Sequence, residues 1–313
     1  MNQMYCSKYE KIPPVSKENG FTALRILCSL IVVYEHFVIL TNLPIPSLEL
    51  RGIAVKIFFI LSGFWVTRSL FTSETLKVFY LKRIKKIFPF YLLVVFASAF
   101  FLVFLSSFDV SSYFKNPGFW KYLIANITTL NFVHPSLPGV FNGEPVNGSL
   151  WTIKIELGFY IILPVVIFFC LGKNEYKKGR CIITLSFFYL LSVIYIVTVP
   201  FILQHYNLSE SLTNQLPAFV NYFSIGILCF FFYDSFYNLW HKLIISGIIL
   251  LVLCYILKNT IVTAIIEPLA LGIITMWGGL KFKPFFLFYK VYDFSYILYL
   301  IHYPIIMVIK QFL

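Results

Sequence analysis

An arginine and a histidine stand eleven residues apart in the first long apolar segment of the sequence, as Arg25 and His36 of RILCSLIVVYEH. Eleven residues are close to three helical turns, so both side chains would share one helix face, roughly 16 Å apart. Because bilayer hydrocarbon is about 30 Å thick, an arginine at one interface places the histidine near the midplane. A titratable imidazole at that depth indicates either a functional group facing a wet cavity or a hydrogen-bonded packing residue.

A few other polar residues also fall inside apolar segments. Glu35 precedes His36 by one position, about 100° around a helix, and could raise the imidazole pKa or orient one ring nitrogen. Glu156 follows Trp151 near an expected outer interface, where pairing with a snorkelling Lys154 is the structural alternative.

Two late segments combine an ionisable residue with a proline. His302 lies in YILYLIHYP, where Pro304 frees a backbone carbonyl one turn earlier and favours a kink. A histidine among tyrosines is more often a hydrogen-bonded packing residue. Glu267 directly precedes Pro268, and the sequence assigns it no partner.

The composition predicts an all-α, polytopic membrane bundle that forms one domain over residues 1–313. Hydrophobic residues make up 59% of the chain and charged residues only 12%. The residues before the first apolar segment lack the features of a signal peptide, so that segment is expected to stay as an anchor. About ten membrane helices, within a range of about nine to eleven, are expected. Candidate spans are 22–41, 53–71, 88–106, 149–171, 181–203, 217–235, 243–257, 261–280 and 291–311, with 120–133 as an amphipathic, interfacial or re-entrant segment.

Basic residues predict the orientation of the chain, because lysine and arginine are enriched in cytoplasmic connections. They cluster before the first span, after the second and after the fourth, as Lys8, Lys11, Lys17, Lys77, Lys82, Arg83, Lys85, Lys86, Lys173, Lys177, Lys178 and Arg180. This pattern puts the N-terminus in the cytoplasm and the 107–148 and 203–216 connections outside. The net charge of +12 is then explained by topology and anionic lipid, without a nucleic-acid partner.

Six cysteines are spread over the chain without metal-ligand spacing. They are interpreted as packing residues or free thiols, and no metal site is expected. They are Cys6, Cys28, Cys170, Cys181, Cys229 and Cys254.

Five segments in order resemble the acyltransferase 3 family of integral membrane acyltransferases. The first is TALRILCSLIVVYEHF, with arginine, ten residues and histidine, and the second is RGIAVKIFFILSGFWVTRSL, with its Phe-Phe-x-Leu-Ser-Gly-Phe run. FYLKRIKKIFPFY resembles a basic segment that leads to a helix start. NGSLWTIKIELGFYIILP and YDFSYILYLIHYPI complete the set, which covers nearly the whole chain.

The resemblance implies transfer of an acyl group, usually acetyl from cytoplasmic acetyl-CoA, to a hydroxyl of a surface polysaccharide or its lipid-linked precursor. Acetyl-CoA would be a co-substrate, with no bound cofactor. The implied location is the bacterial cytoplasmic (inner) membrane. Besides the bilayer, acyl-CoA and the glycan acceptor, candidate partners are polysaccharide-assembly proteins or a second copy of the chain.

The resemblance also implies roles for individual residues. His36 would be the acyl-transfer centre, as a general base or a covalent carrier, assisted by Glu35 and Glu156. Arg25, Arg83 and Lys86 would bind the donor, although Lys86 replaces an arginine and loses its bidentate fork. A basic segment beside a span is more often just a topology signal.

Trp151, Ser62, Gly63 and His302 would line the acceptor site or an acyl channel. Close helix packing explains the small Ser62 and Gly63 almost as well. The family's serine after the tryptophan is Thr152 here, which keeps a hydroxyl.

Two alternatives remain open at the level of sequence. A transporter or flippase of lipid-linked sugars would also have many spans and basic connections, but it would need internal repeats, and the chain shows no convincing repeat. An acyltransferase acting on a lipid or another small acceptor is equally compatible with these motifs. Many relatives append a periplasmic hydrolase-like domain, and no such domain is expected here.

Overall fold

The computed structural model describes residues 12–47, 50–172, 177–206, 210–288 and 290–313, which are helical and contain no β-strand. The predictions for Cys6, Lys8, Lys11 and Lys173 concern residues outside these ranges. The helices are α1 (Phe21–Thr41), α2 (Arg51–Phe71), α3 (Leu76–Phe101), α4 (Val110–Lys115), α5 (Pro117–Ile127), α6 (Trp151–Leu171), α7 (Lys178–Tyr206), α8 (Val220–Phe231), α9 (Tyr233–Phe236), α10 (Trp240–Leu257), α11 (Thr260–Leu280), α12 (Lys283–Phe286) and α13 (Ser295–Lys310).

Within these ranges, seven helical segments are long and apolar enough to cross a bilayer, and two shorter apolar ones, Leu216–Phe231 and Ser295–Lys310, accompany them. All nine fall on predicted spans, so the polytopic helical fold is confirmed. The amphipathic 120–133 segment is represented by α5, which ends at Ile127. The cysteines in the described ranges are buried and free, as predicted.

The largest difference from the predicted boundaries is at α3. The span was expected to begin near residue 88, after a basic connection, yet the helix starts at Leu76. The Thr75 hydroxyl accepts a hydrogen bond from the Val78 amide at 3.1 Å and caps the helix there. The basic residues from Lys77 to Lys86 therefore occupy the first turns of α3, and Pro89 lies inside the helix.

The chain divides into two compact units. The first unit contains residues 53–80, residues 158–292 and the chain up to Cys28. Its helices α2 and α8 cross at Gly63 and Gly226, where a Cβ on Gly63 would lie 2.2 Å from the Phe223 carbonyl oxygen. Only glycine allows this approach. Phe159 stacks on Phe223 beside the crossing, with ring centroids 4.1 Å apart.

A partly buried ion pair lies in the same unit and gives Glu267 the partner that the sequence could not assign. The Lys56 Nζ donates to both carboxylate oxygens of Glu267, at 2.9 and 2.7 Å, and the Tyr222 hydroxyl donates to Oε2 at 2.9 Å. Pro268 cannot donate to the Ala264 carbonyl, and the Asn221 amide donates to it instead, at 3.1 Å. Every polar group at this helix break therefore has a partner.

The second unit contains residues 29–52, 81–157 and 293–313. In the connection after α3, the Asp109 side chain caps α4 by accepting from the Ser112 amide at 3.1 Å. Hydrogen bonds from Ser112 lower the pKa of this carboxyl. The Tyr113 hydroxyl donates to the Ala99 carbonyl, and burial raises its pKa. These contacts hold α4 against the end of α3.

Candidate functional site

The two histidines that the sequence placed inside spans meet in the second unit. His36 of α1 and His302 of α13 are 9% and 3% exposed, and their rings stack with centroids 5.0 Å apart. The His36 Nδ1 lies 2.8 Å from the His302 Nε2. His302 is thus the direct partner of His36, whereas the sequence favoured a packing role or a place along an acceptor channel for it.

The contacts of the second ring nitrogen of His302 determine where the protons lie. The His302 Nδ1 is 2.7 Å from the Tyr299 carbonyl oxygen, which only accepts, so this nitrogen must carry a proton. In a neutral imidazole the other nitrogen then accepts. The His36 Nδ1 therefore donates to His302, and the His36 Nε2 keeps an unprotonated lone pair. We call this chain, from the His36 Nε2 to the Tyr299 carbonyl, the histidine relay.

Pro304 and its neighbours hold the relay in position. The proline leaves the Leu300 carbonyl without a helical donor, and the Asn147 amide donates to that oxygen at 2.8 Å. The same Asn147 accepts from the Ser149 hydroxyl at 2.7 Å. Through this bond α13 is fixed to the residues that precede α6, whereas the kink predicted from Pro304 stays a prediction.

A second set of hydrogen bonds connects α13 with the start of α6. The Tyr299 hydroxyl is 2.8 Å from the Thr152 Oγ1, and it also lies 3.3 Å from the Ser149 carbonyl. Tyr299 is one turn before His302 on α13, so these contacts set the rotation of the helix face that carries the histidine. Thr152, the substitute for the family's serine, uses its hydroxyl in this link.

Tyr303 forms one wall beside the relay. Its ring packs edge-on to His36, with centroids 5.4 Å apart. A Cβ on Gly148 would lie 2.7 Å from the tyrosine ring, so the backbone at Gly148 approaches as closely as glycine permits. Arg51, at the start of α2, is within electrostatic range of the His36 imidazole.

Glu35 anchors a loop. Its two carboxylate oxygens accept from the Ser47 hydroxyl at 2.6 Å and from the Leu50 amide at 3.3 Å. These bonds fix the connection after α1 next to the turn that carries His36. The partner of the His36 Nδ1 is His302. The sequence had suggested that the Glu35 carboxylate orients this ring.

The residues of the fourth motif lie along the first turns of α6. Trp151 begins the helix and is half-buried. The Lys154 ammonium lies over the Phe132 ring, 4.3 Å from its centroid. Glu156 is one turn beyond Thr152, within electrostatic range of the hydroxyls of Tyr296 and Tyr299.

The predicted donor residues belong to different units. Arg25 lies in the first unit, where its Cζ is 5.7 Å from the centre of the Trp65 ring. Arg83 and Lys86 lie in the second, three residues apart and therefore adjacent on one face of α3. Arg83 is partly buried and Lys86 is exposed.

Ser62 and Gly63 belong to the first unit. The α8 backbone fills the space beside Gly63, so close packing accounts for this glycine, and the channel role stays a prediction.

The bounds of α1 shift the expected depth of His36. The helix runs from Phe21 to Thr41, so His36 lies five residues, about 8 Å, before its C-terminal end. The histidine therefore lies midway between the centre of α1, at Ile31, and that end.

The family model described as an acyltransferase domain, acyltransferase 3, matches residues 18–313. The chain belongs to the acyltransferase 3 family. The multi-pass helical architecture is consistent with this membership. No solved structure gives a significant match to the chain.

Three relatives illustrate the range of this acyltransferase 3 similarity. An O-acetyl transferase of Shigella phage Sf6 is 27% identical over 173 residues, which are 54% of this chain and 50% of the relative. Nodulation protein 10 of Rhizobium leguminosarum bv. viciae is 27% identical over 161 residues, 48% of this chain and 44% of the relative. ORF330 of Acidianus two-tailed virus is 27% identical over 239 residues, 76% of this chain and 65% of the relative. The chain thus spans about half to two thirds of their lengths.

Sequence reasoning missed Asn147, Tyr299 and Tyr303, which surround the histidine relay. One signal pointed to Asn147: a carbonyl freed by Pro304 inside a membrane needs a donor, and asparagine supplies one. Tyr299 and Tyr303 stand three residues before and one after His302, so helix periodicity alone could have placed Tyr299 near the relay.

Proposed function

We propose that the protein transfers an acyl group, acetyl in the simplest case, from cytoplasmic acyl-CoA to a hydroxyl of a surface polysaccharide or its lipid-linked precursor. The single observation that carries this proposal is the 2.8 Å contact between the His36 Nδ1 and the His302 Nε2, which leaves the His36 Nε2 to act as the base. The named activity of the Shigella phage Sf6 relative, an O-acetyl transferase, supports acetyl as the group. The multi-pass helices fit the inner membrane of a bacterium.

In the proposed reaction the His36 Nε2 is a general base. The acceptor hydroxyl gives its proton to Nε2 while its oxygen attacks the thioester carbonyl carbon. The new C–O ester bond forms, the C–S bond breaks, and the proton passes from Nε2 to the leaving CoA sulfur. Atoms and charge balance without any further reagent.

The histidine relay suits this role because it keeps its geometry in both protonation states. When Nε2 is protonated, the His36 Nδ1 still donates to the His302 Nε2, so the imidazolium retains its partner. The His302 Nδ1–H continues to donate to the Tyr299 carbonyl oxygen, which disfavours the opposite tautomer. Burial of both rings keeps competing water away from the thioester.

The donor would approach from the cytoplasmic side of the predicted topology. Arg25, at the start of α1, and Arg83 with Lys86, on the first turns of α3, are the proposed partners for its phosphates. Trp151 and Glu156 are the proposed contacts for the sugar.

The surface glycan tests the proposal directly. A strain that lacks the gene would receive the wild-type protein, His36→Ala, or the matched control His205→Ala, whose side chain is exposed at the end of α7. NMR of the extracted glycan should show O-acetyl signals with the wild type and the control, and none with His36→Ala. A general base contributes about 10²–10⁴-fold to the rate.

Three results would contradict parts of the proposal. Wild-type levels of O-acetyl groups with a correctly inserted His36→Ala protein would remove His36 from the chemistry. Loss of the whole glycan from the surface of the deletion strain would support a transporter instead. An unchanged glycan, with acetyl missing from a lipid, would retain the chemistry and change the acceptor.

A further inference from the structure

Three side chains of the first unit meet at the end of the unit where α1 begins and α2 ends. The guanidinium carbons of Arg25 and Arg68 lie 5.7 and 5.8 Å from the centre of the Trp65 ring. Trp65 and Arg68 are three residues apart on α2, so they share one helix face. Phe21 and Phe64 hold the indole edge-on, with centroids at 5.3 and 5.4 Å.

Two hydrogen-bond donors in this cluster lack acceptors. The Trp65 Nε1 and the Arg68 Nε are inaccessible to solvent, and neither has a hydrogen-bond partner in the described part of the chain. Arg68 also forms no ion pair with a described residue. Buried donors without acceptors are costly, and arginine donors are costlier because they carry charge.

Interfacial anchoring accounts for only part of this arrangement. A tryptophan at a membrane surface turns its N–H toward water or headgroups, but the Trp65 nitrogen is closed off. Two guanidiniums on one ring also repel each other. An anion with several oxygens would accept from these unpaired donors and relieve this repulsion.

We propose that Arg25, Trp65 and Arg68 form a binding site for a phosphate group carried by an amphiphilic ligand. The proposal rests on the proposed function, because the predicted orientation turns this end of the unit to the cytoplasm, where acyl-CoA brings phosphates. A phospholipid headgroup offers the same chemistry from a second source. Trp65 and Arg68 are contact residues that the sequence motifs did not suggest.

Equilibrium binding to the purified protein tests the site without requiring turnover. The probes are acetyl-CoA and acetyl-pantetheine, which carries the same thioester without phosphates. Arg68→Gln should weaken acetyl-CoA binding about tenfold, and Trp65→Phe, which keeps a ring and removes the N–H, about threefold. Acetyl-pantetheine should bind all proteins equally. Lys242→Gln, an exposed basic residue of α10, is the control for general charge.

A lipid arm distinguishes the two sources of phosphate. Native mass spectrometry would count phosphatidylglycerol retained from nanodiscs by the wild type and by Arg68→Gln. Loss of retained lipid with unchanged acetyl-CoA affinity supports the phosphate site and assigns it to the headgroup. Unchanged values for both ligands in Arg68→Gln and Trp65→Phe, with melting temperatures like the wild type, overturn the site.

The outcome is separable from that of the proposed function. If the wild type acetylates its glycan while both variants bind phosphate ligands normally, the site fails and the function stands. If the wild type transfers no acyl group while Arg68→Gln still loses phosphate ligands, the function fails and the site stands.

Discussion

Pro268 in α11 and Pro304 in α13 each interrupt the backbone hydrogen bonds of a helix, and the two breaks are stabilised in the same way. They differ in how the neighbouring ionisable residue is paired. In each, a proline frees a carbonyl four residues earlier and an asparagine amide from another element donates to it, Asn221 to Ala264 and Asn147 to Leu300. In each, an ionisable residue stands next to the break. The Glu267 carboxylate of α11 is paired with Lys56 and Tyr222, and we call this the closed pair. The histidine relay, which includes His302 of α13, ends on the His36 Nε2, and we call it the open relay.

This difference separates a structural polar site from a reactive one. The Glu267 carboxylate is neutralised by Lys56 and accepts a hydrogen bond from Tyr222, so we expect its contribution to be to the folded state. The histidine relay satisfies every nitrogen but one, and that nitrogen has the correct protonation state for a base. Burial and an ionisable side chain are common to both, so neither property alone identifies the reactive site.

Breaking the closed pair should have the largest effect, and on stability alone. Glu267→Ala leaves the partly buried Lys56 ammonium without its counter-ion and should lower the free energy of unfolding by about 3 kcal/mol. The double variant Lys56→Met, Glu267→Gln should recover much of that loss because no charge remains unpaired. SDS titration followed by circular dichroism measures both, and equal losses in the single and double variants would contradict the pairing.

Breaking the open relay should have a smaller effect in energy, and on activity. His302→Leu removes the acceptor of the His36 Nδ1 proton. His36 can then carry its proton on Nε2, and in this tautomer Nε2 cannot act as a base. We therefore expect kcat to fall about 100-fold, equivalent to about 2.7 kcal/mol. The KM for the donor should change little. His302→Gln keeps an acceptor oxygen and should retain more activity than His302→Leu. Equal activity in the two variants would show that His302 only fills space.

Substitution of the two asparagines should have the smallest effect on stability. The two variants are also closely matched, because each removes the donor to one proline-freed carbonyl. Asn221→Ala and Asn147→Ala each leave one proline-freed carbonyl without a donor, at a cost of about 0.5–2 kcal/mol in stability. Only Asn147→Ala should also lower kcat, because it loosens the turn that carries His302. Asn147→Asp, which keeps the acceptor for Ser149 and loses the donor to Leu300, should behave like the alanine variant. Similar activity losses at both positions would remove the distinction between the two breaks.

The apolar segments of the sequence predicted the spans within a few residues, since hydropathy depends on composition over one helix. The start of α3 was missed because its basic first turns look like a connection, while the Thr75 cap makes them helical. Pairings between distant residues were also missed. Lys56 and Glu267 are 211 residues apart, and His36 and His302 are 266 apart. Tertiary packing determines such pairs, and no local pattern records them.

The last acceptor of the histidine relay is the main-chain carbonyl of Tyr299. Every amino acid at position 299 supplies that oxygen, so no single codon change can delete it. In a Ser-His-Asp enzyme the orienting carboxylate is itself a side chain, and one substitution removes it. A substitution at position 299 should therefore remove the hydroxyl that contacts Thr152, and leave the carbonyl oxygen that orients the His302 proton in place.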